Sequence, residues 1–191
     1  MTQAPRATLT AEDDQTIQTI SLAVYARVGA LLTVFSALLV YISRRTDAPA
    51  PPAQAILGPV FALVALVACV WLLMVVVRNV ATFRGLSSPR YYLTYNSDVP
   101  PDWIERPART FNNLMQVPTL FYAVCTLMLI TRELDRAQLA YAWLFVAVRA
   151  VHAVVYIGWN PLPYRFATWL MGCITLWVLW TRFALQAWPG L

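Results

Sequence analysis

Five apolar stretches, separated by polar segments, dominate the pattern of hydrophobic and polar positions. They cover residues 19–43, 56–77, 107–131, 139–158 and 164–185. A bilayer core roughly 30 Å thick needs about 20 apolar residues in helix, and a helix satisfies its own backbone hydrogen bonds there. We therefore predict five membrane-spanning helices and an all-α membrane protein.

The polar segments give the predicted spans their boundaries. Residues 1–18 are polar and predict a flexible tail, followed by a first helix over residues 19–45. Residues 78–109 contain four prolines and predict a long loop before the third span. Arginines are more numerous on the side that holds the tail and this loop, and the positive-inside rule places that side in the cytoplasm.

Composition and charge exclude several classes of protein. Hydrophobic residues make up 60% of the 191 and charged residues 12%, which is too apolar for one soluble core of this size. All 14 basic residues are arginines, and they are scattered rather than clustered, so we predict no nucleic-acid partner. Cys69, Cys125 and Cys173 stand alone in apolar stretches and predict buried side chains rather than a metal site.

Polar side chains at helical spacing mark the third and fourth predicted spans. In the third span, positions i, i+4 and i+7 are Arg109, Asn113 and Gln116. In the fourth span, positions i, i+3 and i+7 are Arg149, His152 and Tyr156. An ionisable residue at membrane depth is costly, so each of these is a hypothesis of function.

The two stripes are expected to face each other if the third and fourth spans are antiparallel. Arg165, at the start of the fifth span, would join them at the same depth. The pocket so formed would contain three arginines and no carboxylate, and it would favour an anion. The alternative is that these residues serve only as hydrogen-bond partners between helices, and that the single histidine is satisfied locally.

The order and spacing of these motifs resemble the MAPEG family, the membrane-associated proteins in eicosanoid and glutathione metabolism. The motifs are Arg109, Asn113 and Pro118 in one span, then Arg149-x-x-His152-x-x-x-Tyr156, then Arg165. The resemblance covers residues 56–186, and residues 113–122 look closer to bacterial members than to the eicosanoid enzymes. It implies a four-helix transmembrane bundle, to which this chain adds one N-terminal transmembrane helix.

The resemblance also implies a ligand, an assembly and residue roles. Glutathione would bind between the subunits of a homotrimer, near the cytoplasmic face. The implied glutathione-binding residues are Arg84, Arg109, Asn113, Gln116, Arg149, His152 and Tyr156. Arg165 would be catalytic, since it would lie near the thiol and stabilise the thiolate. Gln116 and Phe166 depart from the family pattern, which has an acid at the first position and, in the prostaglandin synthases, a serine at the second.

Two functions from different classes follow. The first is a glutathione-dependent transferase or peroxidase that acts on hydrophobic electrophiles or lipid hydroperoxides. It would work among membrane lipids as a multi-pass protein of a bacterial inner membrane, with a cytoplasmic N-terminus. The second is a non-catalytic membrane subunit or scaffold, part of a larger membrane complex. A small transporter is disfavoured, because the polar groups cluster at one face instead of crossing the midplane.

Overall fold

The computed structural model describes residues 22–44, 49–95 and 99–188. Every regular element in these ranges is helical, which confirms the all-α fold. The helices are α1 (Leu22–Arg44), α2 (Leu57–Phe83), α3 (Pro89–Thr94), α4 (Asp102–Gln116), α5 (Pro118–Thr131), α6 (Arg136–Ile157) and α7 (Leu162–Ala187). A 3₁₀ turn, Ala53–Ile56, precedes α2.

The five predicted spans are confirmed as helices long and apolar enough to cross a membrane. Helices α4 and α5 together form the third of them, Asp102–Thr131. They are separated only at Val117, because Pro118 has no N–H to continue the hydrogen-bonding of α4 and instead begins α5. The predicted tail, residues 1–18, lies outside the described residues.

The predicted loop over residues 78–109 was too long. Helix α2 continues to Phe83 and α4 begins at Asp102, so the connection covers residues 84–101 and contains α3. The prolines do not break these helices because of where they stand. Pro89 and Pro101 lie at the start of α3 and α4, where no N–H is required, and Pro107 removes one bond early in α4.

The apolar core is concentrated between α2, α5, α6 and α7. Phe121 and Phe145 stack there with ring centroids 4.7 Å apart, and both side chains are fully buried. Leu63, Met128 and Leu179 pack into the same cluster. This packing fixes α6 against α7 and so sets the relative positions of their polar residues.

Helix α1, the additional helix, docks on the bundle through its C-terminal half. Phe35 and Leu39 are its buried residues within the described range. The fully buried Tyr141 of α6 donates a hydrogen bond to the Leu39 carbonyl at 2.8 Å, and its hydroxyl also contacts that of Ser43. A buried hydroxyl in an apolar setting needs such a partner, so this contact orients α1 against α6.

Candidate functional site

The polar stripes of α4 and α6 meet in the structure. Arg149 Nη2 donates to the side-chain oxygen of Asn113 at 2.5 Å and to the Asn113 main-chain carbonyl at 3.2 Å. Both bonds cross from α6 to α4. They bring Asn113 of the α4 stripe against Arg149 of the α6 stripe.

The side chain of Arg149 is fully buried. Gly172 on α7 makes room for it, because a Cβ at that position would lie 3.3 Å from Arg149 Cδ. Nε and Nη1 of Arg149 have no hydrogen-bond partner, and no carboxylate contacts this guanidinium within the described residues. A buried cation with unpaired donors is costly for the fold alone, and this favours a functional reason for it.

His152 lies one turn farther along α6 and is also buried. Its Nδ1 is 3.0 Å from Thr168 Oγ1 on α7. That hydroxyl is within 2.9 Å and 3.1 Å of the carbonyls of Tyr164 and Arg165, so its single hydrogen is directed to them. Thr168 therefore accepts from Nδ1–H of His152, and Nε2 is left without a partner in the interior.

Arg165 and Tyr156 form the less buried side of the same cluster. The Arg165 guanidinium carbon lies 4.7 Å from the centroid of the Tyr156 ring, a cation–π contact. Its Nη1 donates to Asn160 Oδ1 at 2.9 Å. Asn160 has φ +52°, a left-handed conformation that asparagine tolerates, and it lies in the turn between α6 and α7. The turn thus holds Arg165 beside Tyr156 and His152.

Three of the sequence-predicted residues lie outside this cluster. Arg109 is exposed and its Nη1 pairs with Asp102 at 2.8 Å. Gln116 is exposed at the end of α4 and Arg84 is exposed just after α2. The expectation of three arginines without a carboxylate was therefore wrong for Arg109, because α4 begins early enough to include Asp102 in its first turn.

An ion pair between α2 and α4 that includes a buried carboxylate was not predicted. Arg78 Nη2 on α2 lies 2.9 Å from Glu105 Oε2 on α4, and Glu105 is buried. The Arg78 guanidinium also lies over the Tyr92 ring of α3, 4.9 Å from its centroid. Both charges were assigned to a loop, although Glu105 and Arg109 have the i, i+4 spacing of a helix.

An apolar groove runs along α7 on the side of Cys173, the residue after Gly172. Its volume is about 810 Å³, and Val117 and Leu120 of the α4–α5 segment line its other wall. The indole N–H of Trp180 donates to the Leu120 carbonyl at 3.2 Å across it. The volume falls in the range of roughly 300–1,000 Å³ that is typical of small-molecule sites.

The comparisons with known proteins agree with the motifs and the helices. The family model described as "MAPEG family" matches residues 56–185, which is more than half of the chain. No curated protein and no solved structure matched. The match leaves out α1 and includes every residue of the cluster described above. By this match and by its helical membrane fold, the chain belongs to the MAPEG family.

Proposed function

We propose that this chain is a glutathione-dependent transferase or peroxidase that acts on hydrophobic electrophiles or lipid hydroperoxides. Family membership supports a membrane function related to glutathione in general. The observation that carries the finer proposal is the buried guanidinium of Arg149, which has two unpaired nitrogens and no carboxylate contact among the described residues. Such a charge favours an anionic ligand close by.

The residues present fit glutathione, which has two carboxylates, one ammonium group and a thiol. The ligand is held by the partly exposed cluster residues Asn113, Tyr156 and Arg165, together with three exposed residues from outside the cluster, Arg84, Arg109 and Gln116. Arg149 and His152 lie behind them, since their side chains are buried in the single chain. Arg149 acts from behind the ligand by orienting Asn113 and by adding positive charge in a medium of low dielectric constant, and His152 supports the site through its contact with Thr168.

Arg165 is the residue that activates the thiol. Its guanidinium is held by Asn160 and lies over Tyr156, so its charge is fixed at the edge of the cluster. A fixed cation favours the thiolate over the thiol, and the thiolate is the nucleophile. Glutathione supplies either that nucleophile, which forms a thioether with an electrophile, or the electrons of two thiols, which reduce a hydroperoxide to alcohol and water and give the disulfide.

The hydrophobic substrate enters from the bilayer through the groove along α7. The walls of the groove are apolar, with Trp169, Trp177 and Trp180 among its lining residues. Cys173 of this wall directly follows Gly172, the residue that lies against the Arg149 side chain, and so places the groove next to the buried guanidinium. A substrate dissolved in lipid therefore reaches the cationic site without crossing water.

The assembly and location belong to the same proposal. We infer a homotrimer in a bacterial inner membrane, with the cluster near the cytoplasmic face and the N-terminus on that side. The asymmetry of the arginines supports this orientation. A neighbouring subunit would complete the site by covering exposed residues such as Arg109 and Gln116.

Calorimetric titration of glutathione into the purified protein in detergent tests the proposal. Wild type should bind glutathione and develop the ultraviolet absorbance of a thiolate, and Arg165→Ala should lose the thiolate signal. Arg132→Gln is the matched control, because Arg132 is an exposed arginine that follows α5, outside the cluster. Absence of binding at millimolar glutathione would refute the proposal.

A non-catalytic subunit or scaffold is the second candidate, and one observation favours it. Arg109 already pairs with Asp102, and Arg165 already has Asn160 and Tyr156 as partners, so these two cations are not left unsatisfied without a ligand. Copurification with a larger membrane complex, together with no glutathione binding, would support this candidate over the enzyme.

A further inference from the structure

Helix α1, which lies outside the family match, forms a groove with α6 that the other helices alone would not form. Tyr41 and Ile42 of α1 make one wall, and Ala137, Ala140 and Trp143 of α6 make the other. The groove has a volume of about 400 Å³, within the range of roughly 300–1,000 Å³ found for small-molecule sites. Its walls are mostly apolar, so most of its occupant must be apolar as well.

One end of the groove carries a positive charge. Arg136, the first residue of α6, lines it, is exposed, and donates from Nε to the Pro49 carbonyl at 3.2 Å. This bond uses one nitrogen and holds the guanidinium at the start of α6. Arg44, at the end of α1, is exposed and adds a second cation at the C-terminal end of the α1 wall.

The acids nearest to Arg136 in the chain are engaged elsewhere. Asp135 caps α6 through Oδ1, which accepts from Gln138 N at 2.7 Å, and its Oδ2 pairs with Arg182 at 2.6 Å. Glu133 accepts a hydrogen bond from Gln186 at 2.7 Å. No carboxylate pairs with Arg136 among the described residues. Within the described part of the chain, the charge at the groove end is therefore available to an external anion.

The depths of the cation and of the apolar walls match those of the headgroup and the acyl chain of a phospholipid. Trp143 is seven residues after Arg136, which corresponds to about 10 Å along the helix. The cation thus lies at the helix end and the apolar walls lie deeper, as headgroup and acyl chain do in a bilayer. An arginine near the membrane surface attracts an anionic headgroup. We propose that a phospholipid with an anionic headgroup binds here, its phosphate on Arg136 and one acyl chain between α1 and α6.

Native mass spectrometry of the whole chain tests this proposal. Defined lipids are added to the protein in detergent, and the lipids that stay bound after the detergent is removed are counted. The probes are phosphatidylglycerol and phosphatidylcholine with identical acyl chains. We expect wild type to retain one phosphatidylglycerol per chain in preference to phosphatidylcholine. Arg136→Gln should lower the affinity for phosphatidylglycerol about fivefold, the effect of one arginine near an anionic lipid. Arg132→Gln is the control, because Arg132 is an exposed arginine that does not line the groove, and it should leave the affinity for phosphatidylglycerol unchanged.

A second variant tests the apolar part of the site. Ala140→Trp fills the groove from the α6 side and should abolish retention of the lipid, whereas Arg136→Gln only weakens it. Equal retention of the two lipids by wild type would overturn the proposal. So would unchanged phosphatidylglycerol affinity in Arg136→Gln, a result that can be read even if Ala140→Trp fails to fold.

Discussion

The contact between Asn113 and Arg149 allows a quantitative test of the polar cluster. Asn113→Ala removes the side-chain acceptor of a fully buried guanidinium and leaves only the main-chain carbonyl as its partner. A hydrogen bond to a charged group contributes about 1.5–3 kcal/mol, whereas neutral polar contacts between membrane helices average about 0.6 kcal/mol. We expect the free energy of unfolding to fall by the larger amount.

The reason for the larger value is the charge, and a second variant isolates it. Arg149→Met keeps an unbranched chain of similar length and removes the buried cation, so we expect it to be neutral or stabilising. In the Arg149→Met background, Asn113→Ala should cost no more than about 0.5 kcal/mol. The double-mutant cycle should therefore give a coupling energy of about 1–3 kcal/mol between the two residues.

Reversible unfolding in mixed micelles, followed by circular dichroism, measures these differences. Asn112→Ala is the matched control, because Asn112 is the adjacent residue and its side chain is exposed. A loss of about 0.6 kcal/mol or less for Asn113→Ala would refute the reasoning, because it would make the contact an ordinary polar one. If Arg149→Met lowers stability strongly, the guanidinium is structural, and the argument from its cost to a function fails.

Three further changes test other parts of the fold. Gly172→Val should destabilise the protein by about 1–3 kcal/mol in thermal unfolding, because the added Cβ would lie against the Arg149 side chain. Stability equal to that of wild type would contradict this. Tyr141→Phe should lower the free energy of unfolding by about 0.5–1.5 kcal/mol and raise hydrogen exchange in the last turns of α1. Unchanged exchange would show that other contacts hold α1 on the bundle. Glu105→Gln should cost about 1.5–3 kcal/mol, because it weakens the ion pair between the buried Glu105 and Arg78. Equilibrium unfolding equal to that of wild type would contradict this.

The helical spans could be predicted from the sequence because a bilayer imposes a length and a composition on each of them. The predicted ends of the helices were less accurate, and the clearest error was the length of the loop predicted over residues 78–109. Proline suggests a break wherever it occurs, but it is tolerated at a helix start, and only the structure shows that Pro101 immediately precedes α4. With that start, Asp102 and Glu105 become helical residues and the charge balance of the site changes.

The sequence by itself determined that the polar residues of two spans form stripes, because the helical period alone fixes which positions share a face. Which residues are buried, and what each contacts, depended on the packing of α4, α6 and α7 together. Arg149 and His152 became interior residues, whereas Arg109 and Gln116 stayed exposed. The partners Thr168 and Gly172 were not singled out beforehand, because a hydroxyl and a missing Cβ acquire a role only from what another helix places beside them.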